Sequence, residues 1–273
     1  MVLVDGHAHL HDGVGLAAFL AAARRNFRRR CPRSIPPGGL RAALCLADFP
    51  GAEGFARARG ETAVEAADGD YTRLAGAEES SLAFQADDGD LLWLVAGRQA
   101  VTAEKLELVA IGTGVPLPSG LSLDRTVAAA RAAGALPVLP WGVGKWLGRR
   151  GAVVSAALDR FGRELPLGDN GGRPSWWRPR LLARARARGV PVIPGGDPLR
   201  IPSDRLRNGS FGLLLEGEVG GQEPSAWLKH RLAGPLPGDI VFGGPLAFGP
   251  FVARQVSLRW PAGGREDGTH AAG

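Results

Sequence analysis

Short apolar runs alternate with longer segments of helical spacing along the first part of the chain. Residues 2–4 predict a short buried strand, and residues 15–30 carry apolar side chains with the period of a helix. Residues 40–46 predict a second strand that ends in turn-forming residues, and a helix is expected within residues 54–67. The chain therefore begins as strand, helix, strand and helix.

The pattern changes in residues 71–111, where strand-like runs are separated by turn-forming residues. The runs are residues 82–84, 91–95 and 106–111, and a turn is expected at Asp87-Asp88-Gly89-Asp90. We therefore expect an irregular antiparallel excursion in this region.

The alternation of helices and strands returns from residue 122 onward. The predicted helices are residues 122–133, 152–161 and 179–188, and the predicted strands are residues 136–139, 165–167 and 190–193. Helices between short apolar strands imply right-handed crossovers and a parallel sheet with helices on both faces. This α/β pattern leaves open whether the sheet closes into a barrel.

The composition is that of a folded globular protein. The chain has 273 residues, of which 45% are hydrophobic and 22% are charged, which is sufficient for a single core. Residues 262–273 have no apolar period and are expected to form a disordered tail. We therefore predict one domain over residues 1–261.

Cysteine usage and the first residues indicate a compartment. Cys31 and Cys45 are the two cysteines, and they lack Cys-Xaa-Xaa-Cys spacing, which favours a reducing environment. The chain opens on a strand-like run without a signal-peptide pattern, and no apolar stretch is long enough to span a membrane. We expect a cytoplasmic protein without a membrane partner.

The net charge raises the question of a nucleic-acid partner. The formal charge is +6, and the pI is about 10.3. The arginines are spread along the chain with acidic residues between them, and the two densest runs, residues 24–30 and 178–188, fall on predicted helices. Solvated helix faces are therefore favoured over nucleic-acid binding. A small anionic substrate, such as a phosphate compound, fits the sign of the charge, whereas nothing in the pattern indicates the oligomeric state.

Polar residues with metal-binding chemistry follow the first and last predicted strands. Ligands of parallel α/β sheets bind beyond the carboxyl ends of the strands. His7 and His9 lie there, and alternate residues of a strand share one side, so their imidazoles can converge on a metal ion. Asp197 follows two glycines that permit close backbone approach. The structural alternatives are surface histidines and a turn-capping aspartate before Pro198.

Further candidates lie in loops that follow other predicted strands. Lys145 and Arg173, in glycine-containing loops, are expected to bind substrate charge, and Asp169 is expected to transfer protons. Trp141 and Asn170 are the candidates for substrate contact. The tryptophans near these loops, Trp141, Trp146, Trp176 and Trp177, offer either a stacking wall for a planar or sugar-like ligand or ordinary packing.

The order of these segments resembles the polymerase-and-histidinol-phosphatase (PHP) superfamily of metal-dependent phosphoesterases. The segments are Asp5 to Gly13 (Asp-Gly-His-Ala-His-Leu-His-Asp-Gly), Leu46 to Gly54, Gly97-Arg98-Gln99, Ala133 to Trp141, and Gly189 to Leu199. The resemblance spans roughly residues 2–199. It implies a distorted TIM-like (β/α)7 barrel whose metal cluster hydrolyses phosphate esters.

Several ligand positions of the resembled family carry other residues here. Phe49 stands where the family has a histidine, Gln99 where it has a bridging glutamate, and Leu199 where its final Asp-Xaa-His motif ends. The later strand that usually ends in His-Pro ends in Pro140-Trp141. His7, His9 and Asp197 remain in place.

The resemblance therefore implies a reduced site that holds one metal ion. His7, His9 and Asp197 would bind zinc or manganese, with the Gln99 oxygen as a weaker ligand and one position open, as in catalytic zinc sites. A metal-dependent hydrolase that acts on a phosphate ester is the function expected from this set.

Two other functions remain open from the sequence. One is a non-catalytic relative that keeps the pocket for a ligand or a protein partner. The other is an amidohydrolase-like hydrolase, because that family also begins with Asp-Xaa-His-Xaa-His. Such enzymes need further histidines from middle strands, and this chain has none between His11 and His230.

Overall fold

A computed structural model describes residues 1–76, 78–219, 223–234, 236 and 240–259. The helices are α1 (Leu16–Arg28), α2 (Gly54–Gly60), α3 (Leu123–Ala132), α4 (Gly148–Phe161), α5 (Arg180–Ala187), α6 (Pro224–Ala233) and α7 (Phe248–Arg259). The strands are β1 (Val2–Ala8), β2 (Arg41–Leu46), β3 (Ala63–Val64), β4 (Tyr71–Leu74), β5 (Ser81–Ala86), β6 (Leu91–Val95), β7 (Gly97–Val101), β8 (Glu107–Ile111), β9 (Leu136–Pro140), β10 (Leu167–Asn170), β11 (Val192–Gly195), β12 (Gly212–Leu215) and β13 (Ile240–Phe242).

The helices follow the apolar periods of the sequence closely. The expected helices over 15–30, 122–133 and 179–188 are present as α1, α3 and α5. Helix α2 ends at Gly60, earlier than expected, because Ala63 and Val64 pair with β4 instead. Within the described part of the chain, no helix combines the length and apolar character needed to cross a membrane. The expected tail, 262–273, lies outside the described residues.

The strands form two sheets, and the expected (β/α)7 barrel is wrong. One sheet has eight strands in the order β13-β12-β1-β2-β6-β5-β4-β3, and the other has five in the order β11-β10-β9-β8-β7. A closed barrel of this type needs parallel neighbours throughout. Here β12 pairs antiparallel with β1, on the side of β1 opposite to β2. The antiparallel pairs β5 with β6 and β7 with β8 extend the two sheets. Over the residues described, the two sheets form no closed ring.

Residues 71–111 contain the antiparallel pairs that the sequence indicates. Strands β4 and β5, β5 and β6, and β7 and β8 are antiparallel neighbours. The parallel pairs are β1 with β2, β2 with β6, β9 with β10, and β10 with β11. The chain after residue 199, for which the sequence suggested no elements, adds β12, α6, β13 and α7.

The two sheets pack face to face, with helices α1 to α5 on their outer faces and α6 packed against the core between them. Val2 and Val4 of β1 share a buried cluster with Val109 of β8, between the sheets. Leu3 points the other way, into the core beneath α1 and α2. Leu108 likewise faces outward, into the core beneath α3, α4 and α5. The strict alternation of strand side chains thus separates one inner core from two outer cores.

An irregularity in β1 decides where the two histidines point. The register of β1 against β2 shifts between Asp5 and Ala8. Before the shift Leu3 packs beneath α1, whereas after it Ala8 and Leu10 do so. A bulge of this kind reverses the faces of all later residues in the strand. His7 and His9 therefore turn toward the space between the sheets.

Candidate metal centre

Three potential ligand atoms converge where β1 and β11 end. The Nε2 atoms of His7 and His9 lie 3.1 Å apart. Asp197 Oδ1 lies 3.6 Å from His7 Nε2 and 3.2 Å from His9 Nε2. His7, His9 and Asp197 are the group that could hold a metal ion among the described residues.

The size of this triangle fits a tetrahedral metal site. Zinc binds histidine nitrogen and carboxylate oxygen at about 2.0–2.2 Å, so neighbouring ligand atoms of a tetrahedron lie about 3.4 Å apart. The three observed separations lie on either side of that value. An ion just above the triangle would contact all three atoms and leave a fourth position open.

The protonation of His7 and Asp197 suits a cation. Burial lowers the pKa of His7, although the charge of Asp197 opposes the shift, and a neutral imidazole is the form that binds metal. Burial acts to raise the pKa of Asp197, but His7 and His9 together lower it below the usual range. The site thus presents an anionic oxygen between imidazole nitrogens.

Backbone strain places the Asp197 carboxylate in the site. Asp197 has φ +40°, in the left-handed region that residues other than glycine rarely adopt. The Asp197 N–H donates to the His7 carbonyl at 2.8 Å, and the Asp197 carbonyl accepts from Arg254 Nη2 at 2.8 Å. The Asn170 amide donates to its carboxylate. Partners on three segments hold a conformation that would otherwise relax.

The Asp5 carboxylate is hydrogen-bonded to both segments that carry the proposed ligands. It accepts backbone N–H bonds from His7, Gly196 and Gly209 at 3.0, 2.8 and 2.7 Å. Burial raises the pKa of Asp5 to about 7, while these donors act to lower it. A Cβ at Gly196 would lie 2.9 Å from Asp5 Oδ2, so this close approach requires glycine.

Two further polar side chains hold the histidine segment. The Asn208 side chain accepts from His9 N–H at 3.0 Å and donates to the His9 carbonyl at 3.2 Å, as a neighbouring strand would. His11 stacks on the His9 ring with centroids 5.2 Å apart, and its Nε2 bonds the Pro198 carbonyl at 2.7 Å. His11 therefore supports the loop after Asp197.

A cavity of about 500 Å³ opens beside the three ligands. Its walls include His9, Phe49, Gln99, Glu107, Lys145, Asn170, Asp197, Arg200, Arg254 and Gln255. Gln99 Oε1 is buried there and has no hydrogen-bond partner in the described structure. Lys145 pairs with Glu107, and the Arg200 guanidinium lies 4.3 Å from the Phe49 ring centroid. We call this space the metal cavity.

Phe49 lines one wall of the metal cavity. Its ring centroid lies 6.2 Å from that of His9 and 6.5 Å from that of His11. The ring offers no ligand atom, and it stacks instead beneath Arg200. This wall of the metal cavity is therefore aromatic and cationic.

Asp169 and Arg173 do not line the metal cavity. Asp169 accepts from Arg173 Nε at 2.8 Å and from Arg173 Nη2 at 3.1 Å, and Arg186 lies 3.4 Å from the same carboxylate. Arg173 also donates to the Trp177 carbonyl. The two residues form a buried ion pair that fixes the loop after β10. Asn170 points the opposite way and reaches Asp197.

Trp141 contributes to the metal cavity indirectly. Its carbonyl accepts from the Asn170 amide at 3.3 Å, whereas its ring lines a neighbouring cavity together with Trp146 and Trp177. Lys145, by contrast, lines the metal cavity.

Several residues of the site carry no signal in the sequence. Glu107 begins a strand of an antiparallel hairpin, so the rule that chemistry follows strand ends passes over it. Arg254 lies on α7, beyond the segment in which any resemblance was found. Arg200 lies directly after the segment Gly189 to Leu199, so of these three residues it is the one closest in sequence to a motif.

The fold of this chain is similar to that of a protein of known structure. No protein-family model matches this chain, and no curated protein matches it. The chain is similar to PsfC from Pseudomonas syringae PB-5123, known from a crystal structure, over 94% of this chain and 96% of that chain. The TM-score is 0.54 and the identity is 15%. At that identity the similarity concerns the fold alone.

Proposed function

We propose that this protein is a metal-dependent hydrolase that acts on a phosphate ester and binds one metal ion through His7, His9 and Asp197. The observation that carries the proposal is the triangle of Nε2, Nε2 and Oδ1 atoms, whose edges of 3.1, 3.6 and 3.2 Å match a tetrahedral zinc site. The residues present fit zinc, and manganese is the other candidate.

The surrounding residues suit hydrolysis of an anionic ester. A bound ion of this kind would lower the pKa of a coordinated water to about 7. Lys145 and Arg200 line the same cavity and would bind phosphate oxygens. Glu107 takes the proton-transfer role expected of Asp169, because it lines the metal cavity and Asp169 does not.

The resemblance to the PHP superfamily supports the substrate class. It rests on the His7-Xaa-His9 motif and on Asp197, which come together in space although they are distant in sequence. Gln99, at the place of the bridging glutamate, is a neutral amide that cannot hold two cations together, which favours a single ion. Cys31 and Cys45 are both free thiols, in keeping with a proposed cytoplasmic location.

A second candidate is a protein that binds metal or an anion without catalysis. Glu107, the proposed proton carrier, is paired with Lys145, and the Asp169 carboxylate is held by Arg173 and Arg186. Neither carboxylate is then free to move a proton. This pairing is the observation that favours the second candidate.

Metal titration with an activity assay separates the two candidates. We expect the purified protein to bind one equivalent of Zn²⁺ or Mn²⁺ and, once loaded, to hydrolyse small phosphate monoesters. His9→Gln should lose both properties. His230→Gln is the matched control, because His230 is exposed on α6, outside the ligand cluster. Uptake without turnover would support the non-catalytic candidate, and a lack of uptake would refute the hydrolase and leave only an anion-binding protein without catalysis.

A further inference from the structure

A second cavity, of about 330 Å³, lies next to the metal cavity. Three indole rings line it, those of Trp141, Trp146 and Trp177. Ligand pockets of proteins start at about this volume and are mainly lined by apolar and aromatic groups with a few polar ones. We call this space the indole pocket.

The indole pocket and the metal cavity share a wall. Gly142 lines both. A Cβ at Gly142 would lie 2.7 Å from Lys145 Cδ, so the Lys145 side chain packs against Gly142. The Lys145 ammonium pairs with Glu107 in the metal cavity. The two spaces are therefore neighbours that meet at Gly142.

A hydrogen-bonded relay also connects the two spaces. The Asn170 amide donates to the carbonyl of Trp141 at 3.3 Å and to the carboxylate of Asp197. Trp141, in the wall of the indole pocket, is thus positioned by the same side chain that holds a proposed metal ligand. Asn170, on β10, therefore links a wall of each space.

The walls of the indole pocket favour a planar ring. Trp141 and Trp177 meet edge to face, with centroids 6.4 Å apart and planes at 62°, and Trp177 is 40% exposed. An indole left this open gains little from packing but offers its face to a ligand ring.

Positive charge surrounds the mouth of the indole pocket. Arg178 and Arg180 line it, and both are exposed. Arg173 holds the Trp177 carbonyl from behind, and Trp177 N–H donates to the Pro174 carbonyl at 3.0 Å. The main chain of Trp177 is therefore anchored, which leaves its ring as the variable part of the wall.

We propose that the indole pocket binds the planar aromatic or heteroaromatic ring of an ester whose phosphate lies in the metal cavity. This inference rests on the proposed function, which supplies the phosphate group in the metal cavity. It adds that the substrate is an aryl or ring-bearing phosphate rather than a simple alkyl phosphate.

The test compares two phosphate monoesters that differ in the ring. Phenyl phosphate and butyl phosphate are titrated calorimetrically into the full chain, with and without added Zn²⁺. We expect wild type to bind phenyl phosphate at least about 10-fold more tightly, since stacking on an aromatic side chain is worth about that much or more. Trp177→Ala should lose this preference and leave butyl phosphate binding unchanged.

Matched variants show whether the ring of Trp177 is responsible. Trp177→Phe should keep most of the preference, and Trp177→Leu, which keeps apolar bulk without a ring, should lose it even if the alanine variant is unstable. Trp176→Ala is the control, because Trp176 is 52% exposed and packs against Phe248 and Phe251, away from the indole pocket.

The outcomes distinguish this inference from the proposed function. Equal binding of the two esters by wild type, or an unchanged preference in Trp177→Ala, would overturn the indole pocket as a ring site. A ring preference that depends on Trp177 in a protein that hydrolyses neither ester would uphold the pocket and refute the hydrolase.

Discussion

Two buried carboxylates at the ends of neighbouring strands have opposite surroundings. Asp169 ends β10 and is held by the guanidinium groups of Arg173 and Arg186. Asp197 follows β11 and faces the imidazoles of His7 and His9. Both side chains are at most 16% exposed, so each charge must be compensated inside the protein.

The difference shows which cluster is complete by itself. A carboxylate with two guanidiniums has its charge neutralised and its oxygens hydrogen-bonded, and it therefore serves the fold. The Asp197 carboxylate instead lies beside two imidazole nitrogens, and together these three atoms form a set of metal ligands. The Asp197 cluster is thus the one that a metal ion would complete, and three experiments can break or sharpen this contrast.

The largest effect is expected from Asp197→Asn. The substitution removes the only charge among the three ligand atoms, so we expect metal affinity to fall by at least about 1,000-fold, beyond the roughly 10–100-fold typical of residues behind a ligand. Competition with a chromophoric chelator measures it. The metal-free protein should melt as wild type does, because the Asn170 amide can still donate to the new side chain. Unchanged affinity would remove Asp197 from the site.

Asp169→Asn should instead destabilise the fold. It leaves the buried Arg173 without its partner, which typically costs about 3–5 kcal/mol in the free energy of unfolding. Urea unfolding of the metal-free protein measures the loss. Metal affinity should stay at the wild-type value wherever the variant is folded.

The matched control for Asp169→Asn is Asp159→Asn. Asp159 also bridges two arginines, Arg184 at 2.6 Å and Arg188, but it is about half exposed, at 48%. Water already screens such a pair, so little change in the free energy of unfolding is expected. Loss of metal binding in a stable Asp169→Asn protein would contradict the assignment of Asp169 to the fold.

The smallest effect is expected from Gln99→Glu. The new charge near the ion is worth about 4 kcal/mol at 4 Å and an effective dielectric of about 20, most of which desolvation offsets. We expect metal affinity to rise about 10-fold by calorimetric titration. Gln255→Glu, a change of the same kind in the wall of the same cavity, should have a weaker effect. Equal and negligible affinity in wild type and Gln99→Glu would show that the motif does not form a working site.

Local pattern was sufficient for much of the fold and for the ligands. Helices α1, α3 and α5 lie within the predicted ranges because an apolar period depends on residues that are neighbours in sequence. His7, His9 and Asp197 were named from their positions after strands, and they do converge. The rule that polar residues gather at strand ends is a local one and holds in this chain.

Asp169 and Asn170 mark the limit of that rule. They are adjacent on β10, so their side chains point to opposite faces, and the sequence alone does not say which face meets the ligands. Packing of α5 places Arg186 on the Asp169 side, while β11 brings Asp197 to the Asn170 side. Asp169 therefore has a structural role, because its side chain faces α5 and not the proposed ligands.

What the sequence by itself determined is the α/β alternation, the antiparallel region at 71–111 and the grouping of His7, His9 and Asp197, the three proposed ligands. Only the tertiary structure decided that the sheets stay open, since β12 and β13, far along the chain, pair on the edge where a barrel would close. It also decided which way His7 and His9 face, because the bulge between Asp5 and Ala8 reverses the alternation that begins with Leu3. Periodicity is set by neighbours along the chain, whereas register and edge pairing depend on strands that meet only after folding.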